Sequence, residues 1–382
     1  MTPYPQAMHV LHTFANNGTV PYLTWFTDRA VREGSPKYTF LIMHAQRPVM
    51  IEEMKAKGFD VIWIRYDDRK RKRGLIRALP LLWWHMMRIR PDIVHCNLFD
   101  DSLPGLIAAR LAGIRRRVLT RQDTGFHWMH APRWVALDRW NNRMATRIIA
   151  ISEENRRFIV EKERTDPKKV TLVHNGIPPE RFTARNEVVM ARFRERFGIT
   201  KEHFVIGSVA RYVAWKGHRH VIEAAARIIQ RSPYARFLLC GSGVLRPAME
   251  ELAKQLGADK HIHFIDRIEP ADMPSFYGIL DAFIHGAVME PFGLIYAEAM
   301  MNGVPVVSTP TGAALDALTD GVNGILVPEA SGEALANGVS RLLAMDHKAM
   351  GAAGRDTAMR LFPFDVMWNG TQGVYHEAMA TI

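Results

Sequence analysis

The stretch Asp281–Thr309, "DAFIHGAVMEPFGLIYAEAMMNGVPVVST", decides the fold. It opens on a short apolar run, "AFIHGA", breaks at Pro-Phe-Gly, continues as a helical segment, "GLIYAEAMMNG", and closes on a β-branched run, "VPVVST". A strand, a helix and a strand in this order join as a right-handed crossover between parallel neighbours. Strands of such a sheet are covered on both faces, which is why these runs are apolar throughout instead of alternating.

The same alternation extends outward. Upstream lie "FVIGSVAR", helix "HRHVIEAAARIIQ", "ARFLLCG", helix "PAMEELAKQLG" and "IHFID"; downstream lies "GILVP". The first half repeats the scheme with "MHVLHTF", "YTFLIMH", "DVIWIRY", "DIVHC", "RRVLTRQ", "RIIAIS" and "KVTLVHNG", separated by segments such as "LPGLIAARLAG". A chain of 382 residues exceeds one ordinary core. The expected class is therefore α/β, with two Rossmann-like domains facing one another across an interdomain cleft. The expected boundaries are a first domain over 1–180, a linker over 181–199, a second domain over 200–361, and helices over 362–382 that close the chain. Ligands of such sheets bind beyond the carboxyl ends of the strands.

Composition narrows the setting. Hydrophobic residues make up 48% of the chain, enough for full globular folding. Cys96 and Cys240 fall in apolar strand contexts and read as reduced thiols, not as a disulfide framework or a zinc site. The N-terminus has no signal pattern and no run of 18 apolar residues occurs, so the expected location is cytoplasmic. The net charge of +11 lies wholly in the first half: Lys and Arg outnumber Asp and Glu by 30 to 18 over residues 1–180, against 20 to 21 in the remainder. Arg69 to Arg73 and the pair Trp83 and Trp84 read either as a solvated basic loop before a packed helix or as a surface for anionic lipid on the inner face of the plasma membrane. No nucleic-acid-binding motif accompanies the charge, and no nucleic acid partner is expected.

Two glutamates, Glu290 and Glu298, stand eight positions apart across the Pro-Phe-Gly break. Pro291 suits the first position of a helix, and Gly293 permits close backbone approach. The amides of Gly293 and Leu294 would then open the helix towards an anion, with Glu298 about two turns inside. A carboxylate there accepts hydrogen bonds from vicinal hydroxyls. Arg211 and Lys216, in "SVARYVAWKGH", suit a diphosphate, and Gly241-Ser242-Gly243 forms a Gly-rich turn after a strand.

Taken together, Arg211–Lys216–Gly217, Gly241-Ser242-Gly243, Glu290–Glu298, "NGVPVVSTPTGA", "IIAISEENRRFIVEK" and "KVTLVHNGIPPERF" resemble the retaining nucleotide-sugar glycosyltransferases of GT-B fold, the large family-four group whose glutamates are separated by seven residues. The resemblance is dense from about Arg147 to Pro328. It implies a hexosyl transfer from a UDP-, GDP- or ADP-sugar to a glycan or lipid-linked acceptor in cell-envelope polysaccharide, lipopolysaccharide or glycolipid synthesis. It implies no cofactor. Arg211 and Lys216 would neutralise the diphosphate in place of a metal, in keeping with the lack of an Asp-x-Asp motif. Glu298 would bind the ribose, and Glu290 the transferred sugar. Phe292, Gly293 and Leu294 would border sugar and phosphate, with Arg267 and Ile268 against the base. Configuration would be retained by front-face attack assisted by the leaving phosphate.

Two departures stand out. The phosphate loop after the first strand carries one glycine, Gly18. The slot where the family often places a histidine reads Arg121-Gln122-Asp123, so Gln122 and Asp123 would face the acceptor. His127 is then the substitute acid–base group, with Asp123 to orient it and His130 as competitor. The other readings are a nucleotide-sugar epimerase of the same fold and a non-catalytic basic nucleotide-sugar or nucleic-acid-binding protein.

Overall fold

The computed structural model describes residues 8–15, 21–34, 36–67 and 71–380. Gly18, Arg69 and Lys70 lie outside the described residues, as do the side chains of Arg71 and Lys72.

Every strand-like run of the sequence forms a strand. The first half builds β1 (His9–Ala15), β2 (Lys37–His44), β3 (Asp60–Arg65), β4 (Ile93–Cys96), β5 (Arg116–Arg121), β6 (Arg147–Ala150) and β7 (Val170–Leu172). These form one sheet in the order β3-β2-β1-β4-β5-β6-β7. The second half builds β8 (Phe204–Val209), β9 (Ala235–Cys240), β10 (Ile262–Ile265), β11 (Ala282–His285), β12 (Val306–Ser308) and β13 (Ile325–Leu326), in the order β10-β9-β8-β11-β12-β13. All pairings are parallel. Helices cover each sheet, and buried Val, Ile, Leu and Ala fill the space between. Both cysteines end buried strands as free thiols.

The chain divides into two compact units, Met1–Ile151 with Asn155–Val173 and Trp368–Ile382, and Ser152–Glu154 with His174–Met367. This departs from the boundaries read in the sequence. The expected linker over 181–199 carries two helices, Pro179–Thr183 and Glu187–Arg196, within the second unit. Asn186 caps the latter by accepting from the amides of Val188 and Val189, and burial of Met190 and Phe193 holds its inner face. The expected helices over 362–382 are one, Phe364–Ala380, which begins in the second unit and completes the first.

That helix is part of the first unit's core. Trp368 packs 4.9 Å from the Phe26 ring. The Tyr375 hydroxyl lies 3.1 Å from His12 Nε2 and 2.7 Å from His95 Nδ1, while His95 Nε2 lies 2.7 Å from Thr120 Oγ1. Burial holds both imidazoles neutral, with His95 lowered to about 3.

Candidate active site

In the second sheet the strand order reverses between β8 and β11, and the loops leaving these two neighbours define the switch point where α/β sheets bind ligands. The amides of Val288 and Met289 in the β11 loop both donate to the Trp215 carbonyl in the β8 loop, at 2.9 and 3.3 Å. This fastening brings Lys216 onto Glu290. The Lys216 ammonium donates to Glu290 Oε2, and His285 Nε2 stands 3.3 Å from the same oxygen.

Glu290 is buried. Burial alone would raise its pKa, but His285 and Lys216 outweigh it and hold the carboxyl below its ordinary range. Burial in turn keeps His285 neutral. A carboxylate only accepts, so His285 carries its proton on Nε2, and its buried Nδ1 has no partner among the described residues. Arg211, in the same β8 loop, is exposed and makes no ion pair among the described residues.

The helix expected to open at Pro291 begins three residues later and spans Leu294–Met301. Gly293 is its N-cap, with φ 82°. A Cβ there would lie 2.8 Å from both Glu290 Cγ and the Tyr296 ring, so glycine is required to seat Glu290. Glu298 consequently lies little more than one turn inside the helix, not two. Tyr277 Oη donates to Glu298 Oε2 at 2.9 Å, and burial pushes the Glu298 carboxyl up to about 7.

Gly241 and Gly243 occupy the turn after β9. At Gly241 (φ 153°) a Cβ would stand 1.9 Å from the Ala210 carbonyl oxygen, because this turn crosses the β8 loop at van der Waals distance. Between them, the Ser242 carbonyl accepts from the Tyr212 amide at 2.8 Å. Arg267, beyond β10, is exposed and 3.5 Å from Glu269; Ile268 is buried. The Phe292 ring is buried between His174 and Phe362, while Leu294 is the first helical residue. Residues 152–154, which follow β6 in sequence, also belong to this unit: Ser152 Oγ donates to the Pro291 carbonyl and Glu154 accepts from the Gly312 amide. Sequence reading missed His285, Tyr277 and Glu154. His285 had a usable signal, a histidine ending an otherwise apolar strand; Tyr277 and Glu154 had none, since only chain packing brings them to the glutamates.

The residues expected to face the acceptor lie in the first unit. Gln122 and Asp123 line a cavity of about 230 Å³ with Phe99 and Asp138, beyond β4 and β5. His127 lies on a short helix, Phe126–His130, with Nδ1 2.9 Å from Asp138 Oδ2 and its ring edge-on to Phe99 at 4.1 Å. The carboxylate beside His127 is therefore Asp138, not Asp123, which stands 3.5 Å from Arg121. Arg121 itself is buried and bidentate with Glu163, at 2.6 and 3.0 Å. His130 is exposed beside Phe126.

A family model described as Glycosyltransferase Family 4 matches residues 9–181, and one described as Glycosyl transferases group 1 matches residues 189–357. The chain belongs to the family 4 glycosyltransferases. Among curated relatives, a D-inositol 3-phosphate glycosyltransferase of Corynebacterium urealyticum is 33% identical over 48% of this chain and 45% of its own length. An uncharacterised glycosyltransferase of Methanocaldococcus jannaschii is 28% identical over 66% of each chain. The match thus spans between about half and two thirds of these curated relatives. The crystal structure of Anabaena HepE with UDP and glucose superposes at a TM-score of 0.79 over 98% of this chain and 100% of that one, at 19% identity, a likeness of fold. The family 4 assignment agrees with the GT-B architecture of two parallel sheets found here.

Proposed function

We propose that this protein transfers a sugar, with retention of configuration and without a metal, from a nucleoside-diphosphate sugar to a glycan or lipid-linked acceptor of the cell envelope. The observation that carries this reading is the Lys216–Glu290–His285 chain at the β8–β11 switch point. The donor diphosphate sits between Arg211 and Lys216 and competes with Glu290 for the Lys216 ammonium. Glu290 is then released to accept a hydroxyl of the transferred sugar, while His285 keeps it oriented. Glu298 accepts the ribose hydroxyls, with Tyr277 fixing its second oxygen. Arg211 and Lys216 stabilise charge developing on the leaving diphosphate, which is where most of the rate acceleration originates. A UDP-sugar is the first donor to try, because a solved structure of this fold holds UDP with glucose. On the acceptor side, His127 paired with Asp138 takes or relays the acceptor proton, and Gln122 orients the hydroxyl.

The test is nucleoside diphosphate release from a panel of UDP-, GDP- and ADP-sugars, with and without candidate acceptors and with EDTA present. Acceptor-dependent release that survives EDTA, with an anomeric NMR signal matching the donor's, is the expected result. Strict need for a divalent ion, an inverted product, or conversion of the donor to an epimer without diphosphate release each overturns the corresponding part.

A further inference from the structure

The helix Arg71–Ile89 buries one face and leaves the other bare. Ala78, Leu82 and Met86 are fully buried in the core of the first unit. Ile76, Trp83, Trp84 and Met87 recur at the 3.6-residue period on the opposite side; Ile76 is 73% exposed and the two indoles 40% and 46%. Arg73, Arg77 and Arg88 are exposed along the same helix.

Arg88 joins this stripe to a second feature. Its guanidinium lies 4.8 Å from the centre of the Trp84 ring. It also lines a groove of about 700 Å³ at the amino ends of β1, β2 and β3, the end of the sheet opposite to the acceptor-side cavity. Three cations, Lys37, Lys55 and Arg88, border the groove against one carboxylate, Asp60, with Phe59 and Ile62 as apolar wall. Lys37 stands 3.5 Å from Asp60, which leaves the groove cationic overall.

We propose that this surface docks on an anionic lipid bilayer, the Ile76–Met87 stripe lying in the membrane plane and the groove receiving a lipid headgroup phosphate through Lys37, Lys55 and Arg88. Among the described residues no helix is long and apolar enough to cross a membrane, so the stripe lies on the surface instead of spanning it. Indoles suit the headgroup level, and cations beside them are drawn to anionic lipid. A protein partner would have no need of a groove bordered by three cations at the end of the stripe. The inference is independent of the transfer reaction, because none of these residues belongs to the candidate active site.

The experiment is sedimentation of the full chain with vesicles of phosphatidylcholine alone and of phosphatidylcholine with phosphatidylglycerol. Binding to the anionic vesicles alone, released by salt, is expected. Trp83→Ser with Trp84→Ser, and separately Lys37→Gln with Lys55→Gln and Arg88→Gln, should each weaken it more than about tenfold with an unchanged thermal melt. A charge-matched control, Lys201→Gln with Lys254→Gln and Lys260→Gln in the second unit, should retain binding. Equal binding to both vesicle types, or none to either, overturns docking. Parent-like binding by the groove variant, or equal loss in the control, overturns the headgroup groove.

Discussion

At the scale of single residues the candidate site is defined by two glutamates in opposite electrostatic states. Glu290 is held ionised by Lys216 and His285, whereas Glu298 is raised to about 7 by burial, with one hydroxyl donor to oppose it. Lys216→Ala should lower turnover by about 10²–10³-fold, since it removes charge from the leaving group; parent-like turnover would refute the diphosphate role. Glu298 carries a pH signature. Its pKa is about 7 folded against 4.5 unfolded, so the folded state binds the extra proton, and stability present at pH 4.5 is lost as pH rises through 7. Glu298→Gln should therefore stabilise the empty protein at pH 8, by on the order of 1–3 kcal/mol, and have little effect at pH 5. Paired thermal melts at the two pH values check this. If ribose hydroxyls bind the ionised carboxylate, donor affinity by calorimetry should also rise from pH 6 to 8, and this rise should vanish in Glu298→Gln.

At the scale of elements, glycines with different surroundings separate functional geometry from helix propensity. Gly293 caps the Leu294 helix at φ 82°, with Glu290 and Tyr296 occupying the space an added Cβ would need. Gly293→Ala should cost about 1–3 kcal/mol and weaken donor binding, because Glu290 must shift. Gly373, inside the Phe364–Ala380 helix, has nothing within 4 Å of an added Cβ. Gly373→Ala should stabilise by about 0.5–1 kcal/mol. Chemical denaturation of both variants reads the contrast, and equal effects would show that the Gly293 contacts do not matter. On the acceptor side, Asp138→Asn should depress transfer while leaving donor affinity intact, since it removes the charge beside His127, in the unit that holds neither Arg211 nor Lys216. Normal transfer in that variant would remove the dyad from the reaction.

At the scale of the whole molecule, the chain's last helix completes the core of the unit in which the chain began. Tyr375 bridges His12 and His95, both buried and neutral. Tyr375→Phe removes that bridge and leaves polar nitrogens buried without it, at a cost of about 1–3 kcal/mol. Ending the chain at Met367 also strips Trp368 from Phe26 and should unfold the first unit while the second persists. Limited proteolysis followed by mass spectrometry would show which unit resists digestion; a protected first unit would refute this.

The sequence alone determined the alternation of strands and helices, the two parallel sheets, the positions of Arg211, Lys216 and Glu290 in loops beyond the carboxyl ends of strands, and that of Glu298 in the helix that follows. These are local properties: apolar runs, their length and the breaks between them dictate element type, and parallel connection places each following loop at the same sheet end. The tertiary structure alone decided what those residues touch. Tyr277 reaches Glu298 from 21 positions away, Glu154 reaches Gly312 from 158, and Tyr375 reaches His12 from 363. Asp138, not Asp123, partners His127 because the helix Val135–Met144 folds back over the short helix before it. Such pairings depend on how covered sheets stack their helices, and no periodicity in one segment encodes its partner in another. The start of the Leu294 helix was misplaced for a related reason. Proline's ring fixes a φ that suits a first helical residue, yet Gly293, seated against Glu290 and Tyr296 at φ 82°, is the cap of a helix that begins at Leu294.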